Sequence, residues 1–420
     1  MNNGFFKVLK IASFRNLWLA QLFSQVFLNL LFFSLMIRVY DLTKSNSAVG
    51  FVVLLVTLPN IILGALAGVL VDRGDRKIVM FFCHFVRIFV VLAFLFSTET
   101  LGWLYILILL ISVITQFFFP AEAAIIHELV SDKKLLLSAN SLFTITFFGS
   151  VIAGNVLAGP ILSLFGVSGT FVIVALAFVL ASFFTARLPG QSIRLWISNF
   201  LQMGISAKLK VSVATWKGVG LFSDFLVGLD HIYKSKDVRN AILALGASQV
   251  VVSVLGTMAP GFADKILHLS SIDISVLVMA PAALGMILGA VFLSQFFHKW
   301  KYETTLRIGL FALFFGLILY SLVDILSGLI HAPTLLVNIF LLLILGAANA
   351  LLTVPGNTVI QENTPEEVRS RVYGVVNAIV GLAAIIPIVL SGVLADIIGV
   401  RAVMVIISLV MGLFAIARYL

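Results

Sequence analysis

A cluster of charged residues near the start of the chain is the first feature that could do chemistry. Five of the six residues from Asp72 to Lys77 are charged, although only 11% of all residues are. Each charge would cost about 2.5–3.5 kcal/mol at the centre of a bilayer. We therefore expect the segment to lie in a short hairpin at a membrane surface, where its charges can bridge neighbouring helix ends. A loop that only orients the chain would carry similar charges, and both interpretations stay open.

Polar side chains also recur inside the apolar stretches. Gln21, Gln25 and Asn29 are four residues apart, so they share one face of a helix. Uncharged amides are costly in lipid, so this face should either line a cavity or hydrogen-bond to another helix. A minority of the 37 phenylalanines could add an aromatic wall for a lipophilic or cationic compound. Further candidates for the same cavity are Gln116, Gln249, Asn349 and Asn377.

One arginine lies deep in an apolar stretch. Arg87 has His84 one turn away, and ionisable residues inside a membrane are functional by default. We count Arg87 among the candidate cavity residues, although it could equally tie helices together. No acidic residue stands at the centre of the first, fourth or seventh apolar stretch. Proton coupling could use Glu122, Asp41 or His84. The sequence selects none of the three.

Several kinds of site are missing from the sequence. It shows no Gly-rich phosphate loop followed by Lys and Ser or Thr, no His/Cys cluster with metal-ligand spacing, and no recognisable Ser-His-Asp triad. We therefore expect a protein that is not an enzyme, holds no cofactor or metal, and does not use ATP. The single cysteine, Cys83, cannot form an intramolecular disulfide.

Composition indicates which elements must position these residues. Hydrophobic residues make up 61% of the chain and the mean hydropathy is +1.17, whereas soluble domains are roughly 45–50% apolar. A membrane-spanning helix needs about 20 apolar residues, and an open sheet would leave backbone groups unpaired in lipid. The expected fold class is therefore an all-α membrane protein. Twelve transmembrane helices are predicted, at residues 16–38, 48–71, 78–97, 101–125, 137–163, 168–188, 240–262, 275–297, 305–326, 334–358, 372–395 and 400–418.

Lysine and arginine predict the orientation of these spans. With the N-terminus inside, about 22 of them fall on the cytoplasmic side and about 4 on the outer side, and such a bias sets membrane topology. We therefore expect a multi-pass protein of the cytoplasmic (inner) membrane with both termini in the cytoplasm. The same distribution explains the net charge of +9, so no nucleic-acid partner is needed.

The chain also repeats itself at about half its length. Residues 159–167 align with residues 392–400, and Pro120 matches Pro355 at nearly the same offset. A parallel repeat of six spans predicts two six-helix halves related by an axis along the membrane normal. The predicted domains are residues 1–189 (N-terminal half), 190–236 (cytoplasmic linker with an amphipathic helix) and 237–420 (C-terminal half).

With these features together, the sequence resembles the major facilitator superfamily. Gly68 followed by Asp72-Arg73-Gly74-Asp75-Arg76-Lys77 is similar to that family's loop between the second and third spans. An aspartate at position 75 is usual in a drug-exporter branch that includes macrolide and siderophore exporters. Residues 369–374, Arg-Ser-Arg-Val-Tyr-Gly, are similar to the same branch, except that Ser370 stands where glycine is usual. The resemblance covers nearly the whole chain.

The resemblance implies roles for two groups of residues. The charged loop would belong to a cytoplasmic gate. Glu122 should lie near the cytoplasmic end of the fourth span, roughly level with Arg76, so its carboxylate could pair with the loop arginines and close the gate, or form only an interfacial salt bridge. Glycines at five-residue steps in the fifth span resemble the antiporter motif of exporters, although Asn155 stands where that motif usually has proline. The candidate gate residues are Gly68, Asp72, Arg73, Asp75, Arg76, Lys77 and Glu122, and the antiporter-like residues are Gly149, Gly154, Gly159 and Pro160.

The function expected from this resemblance is secondary active export of lipophilic or cationic small molecules by alternating access, driven by a proton gradient. A facilitator-fold carrier of another kind, such as a lysophospholipid flippase or an uptake permease, is the alternative. The expected partners are a small-molecule substrate and the lipid bilayer, and the chain should act as a monomer.

The gate assignment leads to a direct test. Asp72→Asn should cripple transport while the protein still folds and inserts, because the change removes a latch charge and no core packing. Transport measured beside expression level checks this, and normal transport by a well-expressed Asp72→Asn protein would contradict the assignment.

Overall fold

The computed structural model of the protein describes residues 2–72, 75–96, 100–130, 132–190, 229–230, 232–270, 273–296 and 301–419. Helices dominate this part of the chain, and no strand occurs in it. The first half contains α1 (Asn2–Lys10), α2 (Ala12–Thr43), α3 (Asn46–Asp72), α4 (Arg76–Ala93), α5 (Leu101–Leu129) and α6 (Lys133–Ala186). The second half contains α7 (Lys236–Lys265), α8 (Ala280–Phe296) after a π-helical turn (Ser275–Met279), α9 (Tyr302–Ser321), α10 (Val323–Leu329), α11 (Thr334–Glu362), α12 (Glu366–Ile398) and α13 (Val400–Tyr419).

The helices account for twelve membrane crossings. Eleven helical segments of the described chain are long and apolar enough to cross a membrane. One of them, α6, has 54 residues, whereas a bilayer core of about 30 Å needs only about 20. It breaks at Gly166, whose φ is 66°, so α6 holds two spans. The predicted fold class of twelve transmembrane helices is confirmed.

The break at Gly166 has a counterpart in the second half. Gly399 separates α12 from α13 and also has a positive φ, of 88°. Glycine adopts such angles at little cost because it has no Cβ. The two glycines occupy the same place in the sequence repeat, where residues 159–167 align with residues 392–400. A glycine with positive φ therefore ends the fifth span of each half, as the predicted pseudo-repeat requires.

The chain packs as two compact units. Unit 1 comprises residues 1–34 and 55–221, and unit 2 comprises residues 35–54 and 222–420. The hairpin 35–54, made of the end of α2 and the start of α3, therefore groups with helices of the second half. Sequence position alone assigned it to the first half.

The predicted linker cannot be followed in the same detail. Most of residues 190–236, including most of the predicted amphipathic helix, lie outside the described residues. The described residues 232–234 are helical. The domain boundaries 1–189, 190–236 and 237–420 stay a prediction.

Small residues let helices approach closely within unit 1. At Gly154 of α6, a Cβ atom would lie 2.7 Å from Asn29 Cβ and 2.8 Å from Leu30 N, both in α2. Real Cβ atoms do not come this close, so only glycine fits this crossing. At Gly149, five residues earlier on α6, a Cβ atom would meet nothing within 4 Å. In lipid, where apolar burial drives helices together only weakly, such close packing supplies much of the association energy.

This difference gives a matched pair of substitutions. Gly154→Ala should destabilise the protein by about 1–3 kcal/mol, because the added methyl group overpacks the α2–α6 crossing. Gly149→Ala is the control and should leave stability unchanged or slightly raised, since alanine favours a helix. Thermal unfolding of the purified variants in detergent checks both, and equal melting temperatures for the two would contradict the packing argument.

Candidate substrate cavity and charged sites

A cavity of about 460 Å³ lies within unit 1. Its volume falls in the range of about 300–1,000 Å³ that is common for small-molecule sites. Residues of α2, α5 and α6 line it, and these are Gln21, Phe119, Glu122, Ala123, Ile126, Asn140, Phe143, Thr144 and Phe147.

Helical periodicity explains why these residues meet. The lining residues of α5 run from Phe119 to Ile126, and those of α6 from Asn140 to Phe147, both at steps of three and four. Residues at this spacing share one face of a helix. The two faces touch through Phe119 and Phe147, whose ring centroids are 5.8 Å apart in an edge-to-face arrangement.

Two buried acceptors at the cavity wall have no donor. The Gln21 side chain is 1% exposed and donates Nε2–H to the Phe143 carbonyl at 3.2 Å, while its Oε1 has no partner among the described residues. Glu122 is 3% exposed, and its Oε1 likewise has no partner in the described chain. Nearly all buried polar atoms in proteins are hydrogen-bonded. Gln21 and Glu122 both line the cavity, so a donor inside it could satisfy these two oxygens.

Arg87 is buried close to this cavity but is not one of its lining residues. It is 0% exposed and donates Nη2–H to Thr115 Oγ1 at 2.9 Å. Its guanidinium carbon lies 4.8 Å from the Phe118 ring centroid and 5.6 Å from that of Phe178. These contacts join α4 to α5 and to the second arm of α6. They tie the helices together, as one of the two sequence interpretations expected, whereas Nε and Nη1 of Arg87 have no partner among the described residues.

The charge of Arg87 also has an electrostatic partner. Arg87 and Glu122 lie close enough for their charges to interact. His84 packs against Phe118, with centroids 4.7 Å apart, and neither of its ring nitrogens has a partner among the described residues. His84 and Arg87 therefore pack on the same ring, that of Phe118.

The charged loop is described from Asp75 onward. The Asp75 carboxylate accepts from Ile78 N at 3.1 Å and so caps the N-terminus of α4. Arg76 forms an ion pair with Glu128 and also donates to the Ala124 carbonyl at 3.4 Å. Lys77 is buried. The remaining gate candidates are Arg73, which lies outside the described residues, and Gly68 and Asp72, of which only the backbone is described.

The pairing of Arg76 differs from the expected one. We expected the loop arginines to pair with Glu122, whereas the partner of Arg76 is Glu128. Glu128 is one residue from the end of α5, level with the first residue of α4, and Glu122 is about 9 Å deeper along the helix. The Arg76–Glu128 pair leaves Glu122 to face the cavity. Glu128 was missed because two carboxylates on one helix differ only in depth.

The other amides of unit 1 bind mainly within their own helices. Asn29 donates Nδ2–H to the Gln25 carbonyl at 2.7 Å, and Gln116 donates Nε2–H to the Ser112 carbonyl at 3.1 Å. Gln25 is buried and its Nε2 has no partner among the described residues. Of the predicted polar stripe on α2, only Gln21 lines the cavity.

The predicted amides of unit 2 form contacts of their own. Asn349 of α11 donates Nδ2–H to Ser248 Oγ of α7 at 2.9 Å, which ties these two helices together. Gln249 donates to Ser253 Oγ at 3.1 Å on the same helix, and Asn377 is exposed. The described cavity of unit 1 contains none of the three.

Two further groups complete the comparison with the predicted site. Gly159 and Pro160 lie within α6, and Pro160 is tolerated inside this helix. No group of three or more His, Cys, Asp or Glu side chains that could hold a metal ion occurs in the part of the chain that the structure describes. The lining residues Phe143, Thr144 and Phe147 were not predicted, because their spacing on α6 is also that of ordinary helix packing.

Twelve spans in two repeated halves form the architecture of secondary transporters. The model of the Major Facilitator Superfamily matches residues 17–387, and a second match covers residues 313–420. The chain therefore belongs to the Major Facilitator Superfamily, as its charged loop indicated.

Individual relatives agree with this family. The chain is 28% identical over 376 residues to the uncharacterized MFS-type transporter YfiS of Bacillus subtilis, with 87% of this chain and 82% of YfiS covered. It is 25% identical to macrolide efflux protein A of Streptococcus pyogenes, with 92% and 90% covered. The crystal structure of the nucleoside transporter NupG superposes with a TM-score of 0.71 at 14% identity, covering 96% of this chain and 97% of NupG. The last similarity shows the fold alone.

The contacts of the buried Arg87 with Thr115 and Glu122 can be tested by substitution. Arg87→Gln should lower stability by about 3 kcal/mol, because it breaks the tie to Thr115 and leaves the Glu122 charge uncompensated. The double variant Arg87→Gln/Glu122→Gln should lose less than the sum of the two single changes, by about 0.5–3 kcal/mol. Thermal unfolding in detergent measures these values.

Arg307 is exposed and serves as the control position. Arg307→Gln should be neutral. An Arg87→Gln protein with the stability of the unchanged protein, or single effects that add fully, would contradict the structural role of Arg87.

Proposed function

We propose that the protein exports lipophilic cations across the cytoplasmic membrane by alternating access, in exchange for protons. The observation that carries the proposal is the carboxylate of Glu122, which is buried, lines the cavity and has an oxygen without a partner among the described residues. The chain would lie with both termini in the cytoplasm and act as a monomer.

The environment of Glu122 explains how one group could couple two events. An ionised carboxylate in an apolar cavity is unfavourable unless it is paired. The charge of Arg87 offsets part of this cost. Either a proton or the positive charge of a bound ligand removes the remainder, and the two cannot occupy the carboxylate together. Binding of a cation from the cytoplasm would therefore favour proton release, and protonation from outside would favour release of the cation.

The walls of the cavity suit the apolar part of such a ligand. Phe119, Phe143 and Phe147 contribute aromatic rings, and ring faces attract cations. The free Gln21 Oε1 could accept a hydrogen bond from an ammonium group. The buried Arg87 remains tied to Thr115, so it need not leave its place when Glu122 changes charge.

Two further points support export through a gated bundle. Macrolide efflux protein A is similar over 92% of this chain, which favours outward transport over the alternatives of an uptake permease or a lysophospholipid flippase. The segment from Gly68 to Lys77 would serve as the cytoplasmic gate, and the ion pair of Arg76 with Glu128 supports this role. Residues 1–189 and 237–420 would move as the two halves, with residues 190–236 as a tether.

The proposal is tested with ethidium, a lipophilic cation, in inverted membrane vesicles. The protein should drive ethidium into the vesicles when their interior is made acid, and collapse of the pH gradient should stop it. Glu122→Gln should lower the initial rate about tenfold or more, because a charge-assisted contact of roughly 1.5–3 kcal/mol is lost.

Glu303 is an exposed carboxylate at the start of α9 and provides the control. Glu303→Gln should transport at the rate of the unchanged protein. Gradient-dependent transport that survives in Glu122→Gln would contradict the role of Glu122. Uptake that proceeds only in right-side-out vesicles would favour the permease instead.

A further inference from the structure

One carboxylate of α12 accepts several hydrogen bonds from the hairpin 35–54 within unit 2. Asp396, near the end of α12, accepts five hydrogen bonds from three successive residues at the hairpin turn. Its Oδ2 accepts from the hydroxyls of Ser45 and Ser47, both at 2.6 Å, and from Ser47 N at 3.0 Å. Its Oδ1 accepts from Asn46 N at 2.8 Å and from Asn46 Nδ2 at 3.1 Å.

Asp396 of α12 lies next to the first residues of α3 in space, and this position explains why a carboxylate fits here. The helix begins at Asn46, and the first N–H groups of a helix have no partners within it. These groups and the helix dipole favour a negative charge. Ser45 already caps locally by accepting from Ala48 N at 3.2 Å. Asp396 adds a second cap from a helix about 350 positions away in sequence.

Close packing lies beside this carboxylate, although Asp396 itself is exposed. A Cβ atom on Gly392, one turn before Asp396, would lie 3.0 Å from Ser47 Cα. A Cβ atom on Gly50 would lie 3.2 Å from the Ile388 carbonyl oxygen. Positions 388, 392 and 396 are four residues apart and so form one face of α12. That face receives the start of α3 along two turns.

A second contact of the hairpin is weaker. Tyr40 donates its hydroxyl to Asp264 Oδ2 at 3.0 Å, and Lys44 Nζ lies 3.9 Å from the same oxygen. The side chains of Lys44 and Asp264 are 59% and 41% exposed, and ion pairs this open add little. Asp396 is exposed as well, but it accepts five hydrogen bonds from the hairpin, whereas Asp264 accepts the one from Tyr40.

The internal repeat separates this anchor from the shared scaffold. Asp396 aligns with Ser163 in the first half, at the offset that pairs Gly166 with Gly399. Ser163 is exposed and donates its hydroxyl to the Pro160 carbonyl of its own helix at 2.9 Å. A carboxylate needed only to build a six-helix half would be expected in both halves. It is present in one.

We propose that Asp396 is a latch residue of the transport cycle: it holds hairpin 35–54 on α12, and the cycle requires its release. The chain enters and leaves this hairpin through residues of unit 1, at positions 34 and 55. Alternating access moves the two halves of a transporter. The hairpin belongs to the first half by sequence but packs within unit 2, so its contact with α12 must break during the cycle. The release step rests on the proposed transport function, whereas the docking role does not.

The test uses a reporter cysteine in the docked hairpin. Val49 is 0% exposed, so Val49→Cys should react slowly with a maleimide in a background in which Cys83 is replaced by alanine. Asp396→Asn keeps the size of the side chain, removes its charge and turns an amide towards the hairpin donors. We expect about tenfold faster labelling in nanodiscs, the effect of losing roughly one charge-assisted hydrogen bond.

Two controls separate a latch from general loosening. Asp273 is an exposed aspartate held by Ser270 Oγ at 2.6 Å, and Asp273→Asn should leave labelling at Val49→Cys unchanged. Leu313→Cys reports on the core of α9, where Leu313 is 1% exposed, and should stay unreactive in Asp396→Asn. Unchanged labelling at Val49→Cys, or equal increases at both reporters, would overturn the latch. The assay needs no substrate, so its outcome is independent of the ethidium result.

Discussion

Inside a bilayer there is no water to satisfy a backbone amide or carbonyl, and each must find its partner within its own helix. This requirement makes every span of the chain a helix, and it allows a break only where the backbone can turn sharply. The breaks at Gly166 and Gly399 meet this condition, because both glycines adopt positive φ values at the ends of spans. The bundle, its repeat and its cavity all depend on helices that stay continuous between such points.

The same constraint explains how most polar side chains in the spans are hydrogen-bonded. Ser112 donates to the Ile108 carbonyl, Thr115 to the Ile111 carbonyl, and Gln116 to the Ser112 carbonyl, each four residues back on α5. Hydroxyls and amides bound in this way are compatible with lipid and carry no functional signal by themselves. Glu122 on the same helix has a buried oxygen that finds no such partner among the described residues, and this contrast makes it the informative residue of α5.

Charge is distributed unequally over the two repeated halves. Pro120 aligns with Pro355, and the same offset places Glu122 opposite Asn357, which is exposed and donates to its own helix. Asp396 likewise stands opposite a serine. The repeat therefore shares its helix breaks and prolines, which are needed to build a half. The two carboxylates that support the proposed coupling and latch each occur in one half only. A transport cycle in which the two halves have different tasks needs such residues that the repeat does not share.

The sequence by itself determined the spans, their number, the repeat and the family, because length, hydropathy and glycine position act locally along each helix. It also singled out Gln21 as a polar residue within an apolar stretch, and Glu122 as a carboxylate near the loop arginines. It could not decide which carboxylate meets Arg76, or that Arg87 ties helices beside a cavity. Those outcomes depend on the rotation and depth of each helix against its neighbours, which a period of 3.6 residues leaves open.

Only the tertiary structure revealed the contacts of Asp396. In the sequence it is one aspartate near the end of an apolar stretch, and nothing near it suggests a partner at the start of α3. Five donors converge on it because α12 and the hairpin 35–54 pack along glycines that are far apart in the chain. Local patterns determine which helices form, and long-range packing determines which of their few charges meet.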